Sequence, residues 1–199
     1  MTLHQRILEA CAPLHGWATP AKQVTLANLV LACQAKVIVE IGVWGGKSLI
    51  PMAMAAQSLG PCRVFAIDPW KASESVMGQS DADVKWWDDQ SKHDLVFASF
   101  MKAVQDLSLQ NVVTVLKQSG NETIPPDNID VFHCDGNHGP QCQIDVSRFA
   151  PKVRVGGFVV LDDLEWTGGA VKEGAEWLSK RGFMELFKLG TGAVYTKVQ

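Results

Sequence analysis

Apolar residues gather in five short, nearly unbroken runs: 37–41 (VIVEI), 63–67 (RVFAI), 112–116 (VVTVL), 129–134 (IDVFHC) and 157–161 (GFVVL). Such runs predict strands covered on both faces, as a parallel sheet requires. Helical stretches lie between them at 47–58, 94–107, 144–153 and 169–180, the second carrying Leu95, Phe97, Phe100, Met101, Val104 and Leu107. Two more helices are expected before the first strand, over 3–14 and 21–34, and Pro20 suits a helix start. After the last helix, 184–189 and 193–198 flank Gly190 and Gly192, which read as the turn of a hairpin. The alternation predicts a doubly wound α/β fold: a mostly parallel, seven-stranded Rossmann-like sheet with a C-terminal antiparallel hairpin and helices on both faces. Residues 71–92 break the pattern. They are polar, hold adjacent Trp86 and Trp87 and show no period. A connection this long inside a compact domain is expected to be a lid or substrate-side segment. The whole chain, 1–199, reads as one domain.

Chemistry collects where the strands end. Glu40-Ile41-Gly42-Val43-Trp44-Gly45-Gly46-Lys47-Ser48 leaves the first strand and opens a helix. Gly42 permits a tight turn. Gly45 and Gly46 are expected to let the backbone approach a ligand, and the free N–H groups at the helix start suit an anion. The spacing is not the G-x-G-x-x-G fingerprint of dinucleotide sites, and no Gly stands five residues before Gly46, which excludes a phosphate loop. Asp68 ends the second strand in Ala66-Ile67-Asp68-Pro69-Trp70. An acid there can accept hydrogen bonds from both hydroxyls of a ribose, and Trp70 could offer its face to an adenine. A plain turn aspartate before a proline is the alternative.

The run E-I-G-x-x-x-G-x-S, followed by a strand ending I-D-P, resembles the class I S-adenosylmethionine-dependent methyltransferases. It is similar, more narrowly, to their branch of catechol-type and sugar or macrolide O-methyltransferases, over residues 37–163. On that resemblance Glu40 and Gly42 line the methionine end of the cofactor, with Trp44, Gly46 and Ser48 in the same loop. Asp68 holds the ribose beside Pro69 and Trp70. Ser119, in Gln118-Ser119-Gly120 after the third strand, lies near the adenine. The resemblance also implies that the fourth strand lies beside the first and the fifth beside the fourth. Asp135, Asp162 and Asp163 then crowd the rim that holds Glu40, with Asp135 near the cofactor as well.

Crowded carboxylates repel one another, and burial raises their pKa values. A divalent cation removes that conflict, and oxygen ligands suit Mg²⁺, Mn²⁺ or Ca²⁺. Such an ion would lower the pKa of a bound substrate hydroxyl and fix its position. Asp135-Gly136-Asn137-His138 and Asp162-Asp163 look like the corresponding runs of the metal-dependent sugar and macrolide group. Metal-free methyltransferases with solvated strand-end acids are the alternative. Asp135 and His138 are the candidate catalytic pair, with His138 as general base because imidazole titrates near neutrality. Relatives sometimes carry an acid where this chain has Asn137, which cannot be a base. His93 is a weaker candidate, and His133, inside a strand, is expected to be a hydrogen-bonded core residue.

Composition narrows the partners. The net charge is -3 and no basic stripe is visible, so neither nucleic acid nor an anionic membrane surface is expected. No apolar stretch reaches ~18 residues, and the N-terminus lacks a secretory signal. Five cysteines, an odd number without a C-x-x-C pair, suggest free thiols in a reducing cytoplasm and disfavour zinc. The expected activity is methyl transfer from S-adenosylmethionine to a small hydroxylated molecule: a sugar, a polyketide or a phenol. Trp44, Trp86, Trp87 and Trp166 suit a flat or sugar-like acceptor, and the apolar helices of 1–35 offer a surface for a homodimer. A cephalosporin-hydroxylase-like enzyme on the same fold and a non-catalytic cofactor-binding module are the alternatives. A nicotinamide oxidoreductase is disfavoured by the glycine spacing.

Overall fold

The apolar runs become the central strands of a sheet in a computed structural model, which describes residues 1–77, 81–166 and 169–199. In chain order the elements are α1 (Leu3–Cys11), α2 (Pro20–Ala32), β1 (Val37–Ile41), α3 (Leu49–Ser58), β2 (Arg63–Ile67), α4 (Ala72–Ser75), α5 (Asp81–Trp87), α6 (Gln90–Asp106), β3 (Val113–Leu116), β4 (Ile129–Cys134), α7 (Pro140–Phe149), β5 (Val153–Leu161), α8 (Ala170–Ser179), β6 (Phe183–Leu189) and β7 (Gly192–Lys197). The sheet order is β3-β2-β1-β4-β5-β7-β6. Strands β1 to β5 pair in parallel, and β7 runs antiparallel to both β5 and β6, which is the expected closing hairpin. The chain reverses its direction of travel across the sheet between β1 and β4. Ligands of open α/β sheets bind at that switch, outside the carboxyl ends of the strands.

Each face of the sheet carries its own core. On one, Ile38, Val64, Val131, Val160 and Val194 meet side chains of the α1, α2, α3 and α6 layer, among them Ile7, Leu26, Leu49 and Phe100. On the other, Val39, Ile41, Phe132, Val159 and Leu161 meet Val146 and Phe149 of α7 and Val171 and Leu178 of α8. Neighbours such as Ile38 and Val39 fall on opposite sides because successive strand side chains alternate.

Several elements differ from the sequence pattern for local reasons. Strand β5 begins at Val153, ahead of its apolar run: Val153 pairs with Ile129, the partly or fully exposed Arg154 to Gly156 fall in an irregularity, and pairing resumes with Phe158 opposite Val131. Helix α6 starts at Gln90 because Asp89 caps it, accepting the N–H groups of Ser91 and Lys92. Its buried face is His93, Val96, Phe100 and Val104, whereas Leu95 is 72% exposed and belongs to no core. Leu26, Ala27 and Val30 of α2 and Ile7 and Cys11 of α1 are buried in the core they share with α3. These apolar positions are therefore used inside the chain, while Trp17 of the same region is 67% exposed. No helix among the described residues is long and apolar enough to cross a membrane.

Candidate active site

Strands β1 and β4 end side by side, Ile41 opposite Cys134, and the Asp135 N–H donates to the Ile41 carbonyl at 2.9 Å. Gly42 has φ +86°, and a Cβ there would collide with the Asp135 carbonyl. Only glycine lets these two loops touch. Gly46, φ +80°, lies instead against the Phe100 ring of α6, and Gly45 lies beneath the backbone of His15. Gly45 and Gly46 thus make room for other parts of the protein on the side where a Cβ would stand. Glu40 is fully buried and accepts the Ser48 hydroxyl at 2.5 Å. Its other oxygen, Oε2, has no hydrogen-bond partner and lies 3.5 Å from His133 Nδ1.

Asp68 accepts two backbone N–H groups, from Trp44 at 2.9 Å and from Trp70 at 2.7 Å. The second bond curls the chain back over Pro69 in a turn two residues long. Burial pushes the Asp68 carboxyl above its usual range, against the pull of those N–H groups and of His93. The turn leaves Trp70 at φ +43° and drives its ring into the core. That ring is fully buried, 4.7 Å from Phe97 and stacked on Phe100 at 5.6 Å, with Nε1 donating to the Trp44 carbonyl. Trp70 therefore offers no face to an adenine, contrary to expectation. Ser119 lies in a turn where its N–H and its hydroxyl both donate to Glu122 Oε2, at 2.9 and 3.1 Å.

The acids expected on the rim do converge. Asp135 follows β4, and Asp162 and Asp163 follow β5, with the Asp162 N–H bonded to the Cys134 carbonyl at 3.1 Å. His138 Nε2 lies 3.3 Å from Asp163 Oδ2 and 3.9 Å from Asp135 Oδ1, without the alignment of a hydrogen bond, and its ring sits 4.7 Å from Trp166. His133 is fully buried, as its strand position implies, but both its ring nitrogens lack hydrogen-bond partners, and Nε2 is 3.9 Å from Asp135 Oδ2. That part of the expectation, a hydrogen-bonded core histidine, is corrected. Two donor sets, His133 with Asp135 and Asp162, and Asp135 with His138 and Asp163, have their ligand atoms within 4.8 Å of one another.

Two further residues shape the rim and were not visible in the sequence. Lys22, from the first turn of α2, places its ammonium against Asp162 Oδ2 and 3.3 Å from Asp135 Oδ2. Burial alone would raise the Asp135 carboxyl, but Lys22, followed by His138 and His133, outweighs it and holds the group at about 2. Thr191, in the β6–β7 turn, donates its hydroxyl to Asp163 Oδ1 at 2.8 Å and lies 3.4 Å from Asp162 Oδ1. Neither residue carries a local signature. Their roles depend on where α2 and the hairpin come to rest.

The 71–92 segment spans the switch point, although residues 78–80 lie outside the described residues. The Met77 carbonyl accepts Asn137 Nδ2 at 2.5 Å, which ties the segment to the Asp135 loop. Gln90 bridges the Trp70 carbonyl and the Ala72 N–H. Trp86 (tilted) and Trp87 (edge-on) pack around Trp44 at 5.8 and 5.0 Å, with Trp17 from the α1–α2 connection 5.4 and 5.9 Å from the same two rings. Three of the six described non-glycine residues with positive φ are Trp44, Trp70 and Asp163, at the ends of β1, β2 and β5. Strained backbone is retained where surrounding structure over-determines it, and it clusters at functional sites.

Comparisons with known proteins agree with this architecture. A family described as a methyltransferase domain matches residues 39–164, more than half of the chain. None of the curated proteins matches it. Among solved structures, the O-methyltransferase NovP is similar with a TM-score of 0.71 at 18% identity, covering 92% of this chain and 84% of that one. TomG, an O-methyltransferase from Streptomyces achromogenes involved in tomaymycin synthesis and solved with S-adenosylmethionine, gives 0.66 at 16% identity, covering 100% and 91%. An O-methyltransferase from Bacillus cereus, solved with S-adenosylhomocysteine, gives 0.65 at 17%, covering 99% and 90%. At these identities the structures establish the shared fold, and the family match establishes the kinship. The chain belongs to the methyltransferase-domain family and is a class I S-adenosylmethionine-dependent methyltransferase.

Proposed function

We propose that this enzyme methylates a hydroxyl of a small molecule, drawn from sugars, polyketides or phenols. The observation that carries this reading is the convergence of Asp135, Asp162, Asp163 and His138 on one rim, beside the loops that hold Glu40 and Asp68. The names of the three similar structures given above, each an O-methyltransferase, support oxygen as the acceptor atom.

The residues present fit the cofactor. Glu40 Oε2, buried without a hydrogen-bond partner, suits the ammonium of the methionine moiety. Asp68, oriented by two backbone N–H groups, keeps lone pairs for ribose hydroxyls. Ser119, its proton committed to Glu122, offers only acceptor capacity to the base. When bound, S-adenosylmethionine supplies an electrophilic methyl group on a sulfonium. His138 takes the acceptor proton, and Asp163 steadies the imidazolium that results. The oxygen so freed would take up the methyl group that the bound sulfonium supplies, the C–S electron pair remaining with sulfur. The 71–92 segment acts as a lid that excludes water, held by the Met77–Asn137 bond and the tryptophans over Trp44.

A divalent ion such as Mg²⁺ does not fit this arrangement. The donor types suit one, but the Lys22 ammonium stands between Asp135 and Asp162. The second donor set shares Asp135 and so faces the same charge. Calorimetry with S-adenosylmethionine, then transfer of a labelled methyl group to a panel of sugars, polyketides and phenols, tests the proposal. Saturable binding and label on an acceptor oxygen are expected. Label on nitrogen or carbon acceptors alone would overturn O-methylation, and binding without turnover on any acceptor would favour the binding module.

A further inference from the structure

We infer that Lys22 is the resident cation of the acid rim, standing where a divalent ion would have to bind and charge-stabilising the acceptor oxygen in its stead. The second half rests on the reading of this rim as the acceptor site; the first half does not.

The placement of Lys22 is costly for its own helix. Thr19 caps α2 by accepting the Lys22 N–H at 3.2 Å, which fixes Lys22 in the first turn. A cation there opposes the positive end of the helix dipole. The acids across the gap supply the compensation. The Lys22 side chain is 12% exposed and that of Asp162 10%, so the contact is largely shielded from water and from salt. Asp162 has little left for an ion: Oδ2 meets Lys22, and Oδ1 accepts the Asp163 N–H at 3.2 Å and faces the Thr191 hydroxyl. Asp135 divides its oxygens likewise, Oδ2 towards Lys22 and Oδ1 towards His138.

A divalent ion bound to both carboxylates would share their oxygens with an ammonium already in contact with them. Two cations so close repel strongly in a site screened from solvent. The ammonium has three N–H donors. Asp135 and Asp162 take two, which leaves one for an oxygen that becomes more nucleophilic as its proton departs to His138. A lysine is suited to this as a compact point charge, whereas an arginine would demand a planar partner.

Mn²⁺ titration followed by electron paramagnetic resonance tests the exclusion directly, with wild type, K22M and K22R, each without added acceptor. Wild type and K22R are expected to show no saturable site. K22M is expected to bind one Mn²⁺ at least about tenfold more tightly than wild type. Methyl transfer by wild type is expected to be indifferent to a chelator. K22M should lose turnover by roughly 100-fold, the usual loss for one oxyanion donor, and regain part of it with Mn²⁺. Saturable Mn²⁺ binding by wild type overturns the inference without recourse to any variant, as does a K22M that folds but gains no site. Wild type that excludes Mn²⁺ yet methylates no hydroxyl sinks the proposed function and the role on the acceptor oxygen, while the exclusion stands.

Discussion

Trp70→Ala separates a core role from a ligand-stacking role for the tryptophan at the end of β2. The ring is fully buried between Phe97 and Phe100, so truncation leaves a large cavity. Such changes cost about 3–5 kcal/mol. Loss of the Nε1 bond also strips the Trp44 carbonyl of its donor, which adds roughly 1 kcal/mol. The total, about 4–6 kcal/mol, is a large part of the 5–15 kcal/mol that holds a typical domain together. Trp70→Phe keeps an aromatic face and loses the donor and part of the volume, at roughly 1–3 kcal/mol. For a chain of this size each kcal/mol shifts Tm by about 2–4 °C. Urea unfolding followed by far-ultraviolet circular dichroism should rank the three proteins wild type, W70F, W70A. An unfolding midpoint for W70A equal to that of wild type, together with a loss of S-adenosylmethionine affinity, would refute the reasoning: the ring would then be touching the ligand and not the core.

Three other outcomes can be checked. Asp68→Ala should weaken S-adenosylmethionine binding in calorimetry by at least about tenfold, because the ribose loses a charged acceptor; unchanged affinity removes the ribose assignment. His138→Ala should lower kcat for methyl transfer by roughly 10²–10⁴ while leaving cofactor affinity intact, and wild-type turnover would eliminate it as the base. Burial pushes the Asp145 carboxyl up to about 6, against the pull of Gln141 and Arg148. A folded-state pKa above the unfolded value makes the native form bind its proton more tightly, so this stabilisation is full below pH ~4 and lost as pH rises through about 6. Asp145→Asn should therefore gain stability relative to wild type as melts move from pH ~4 to ~7, and parallel profiles would contradict it.

The central strands were legible because burial on both faces imposes nearly unbroken apolar runs on β1 and β4, and the hairpin because Gly190 and Gly192 bracket Thr191 between two extended segments. The strand-end acids were legible for a related reason: Asp68, Asp135 and Asp162 each follow directly on an apolar run that fixes where the strand stops. What escaped depended on direction rather than position. Trp70 lies at the expected place, but φ +43° turns its ring inward. Gly45 and Gly46 lie in the expected loop, but His15 and Phe100, remote in the chain, fill the space above them. In α6 the scatter of Leu95, Phe97 and Met101 blurred the face that His93, Val96, Phe100 and Val104 bury. Lys22 is the extreme case: no neighbour in the chain hints at a target 113 and 140 residues away.

The indole cluster of Trp17, Trp44, Trp86 and Trp87 gives the unlabelled protein a built-in optical gauge. Its linked rings, 4.5–5.9 Å apart, join three separate stretches of chain and are close enough for their excited states to couple. Trp70, walled in by phenylalanines, supplies a steady background. Any displacement of α5 from the loop after β1 would therefore register in near-ultraviolet dichroism and emission, so the proposed lid role can be tested by stopped flow without attaching a dye.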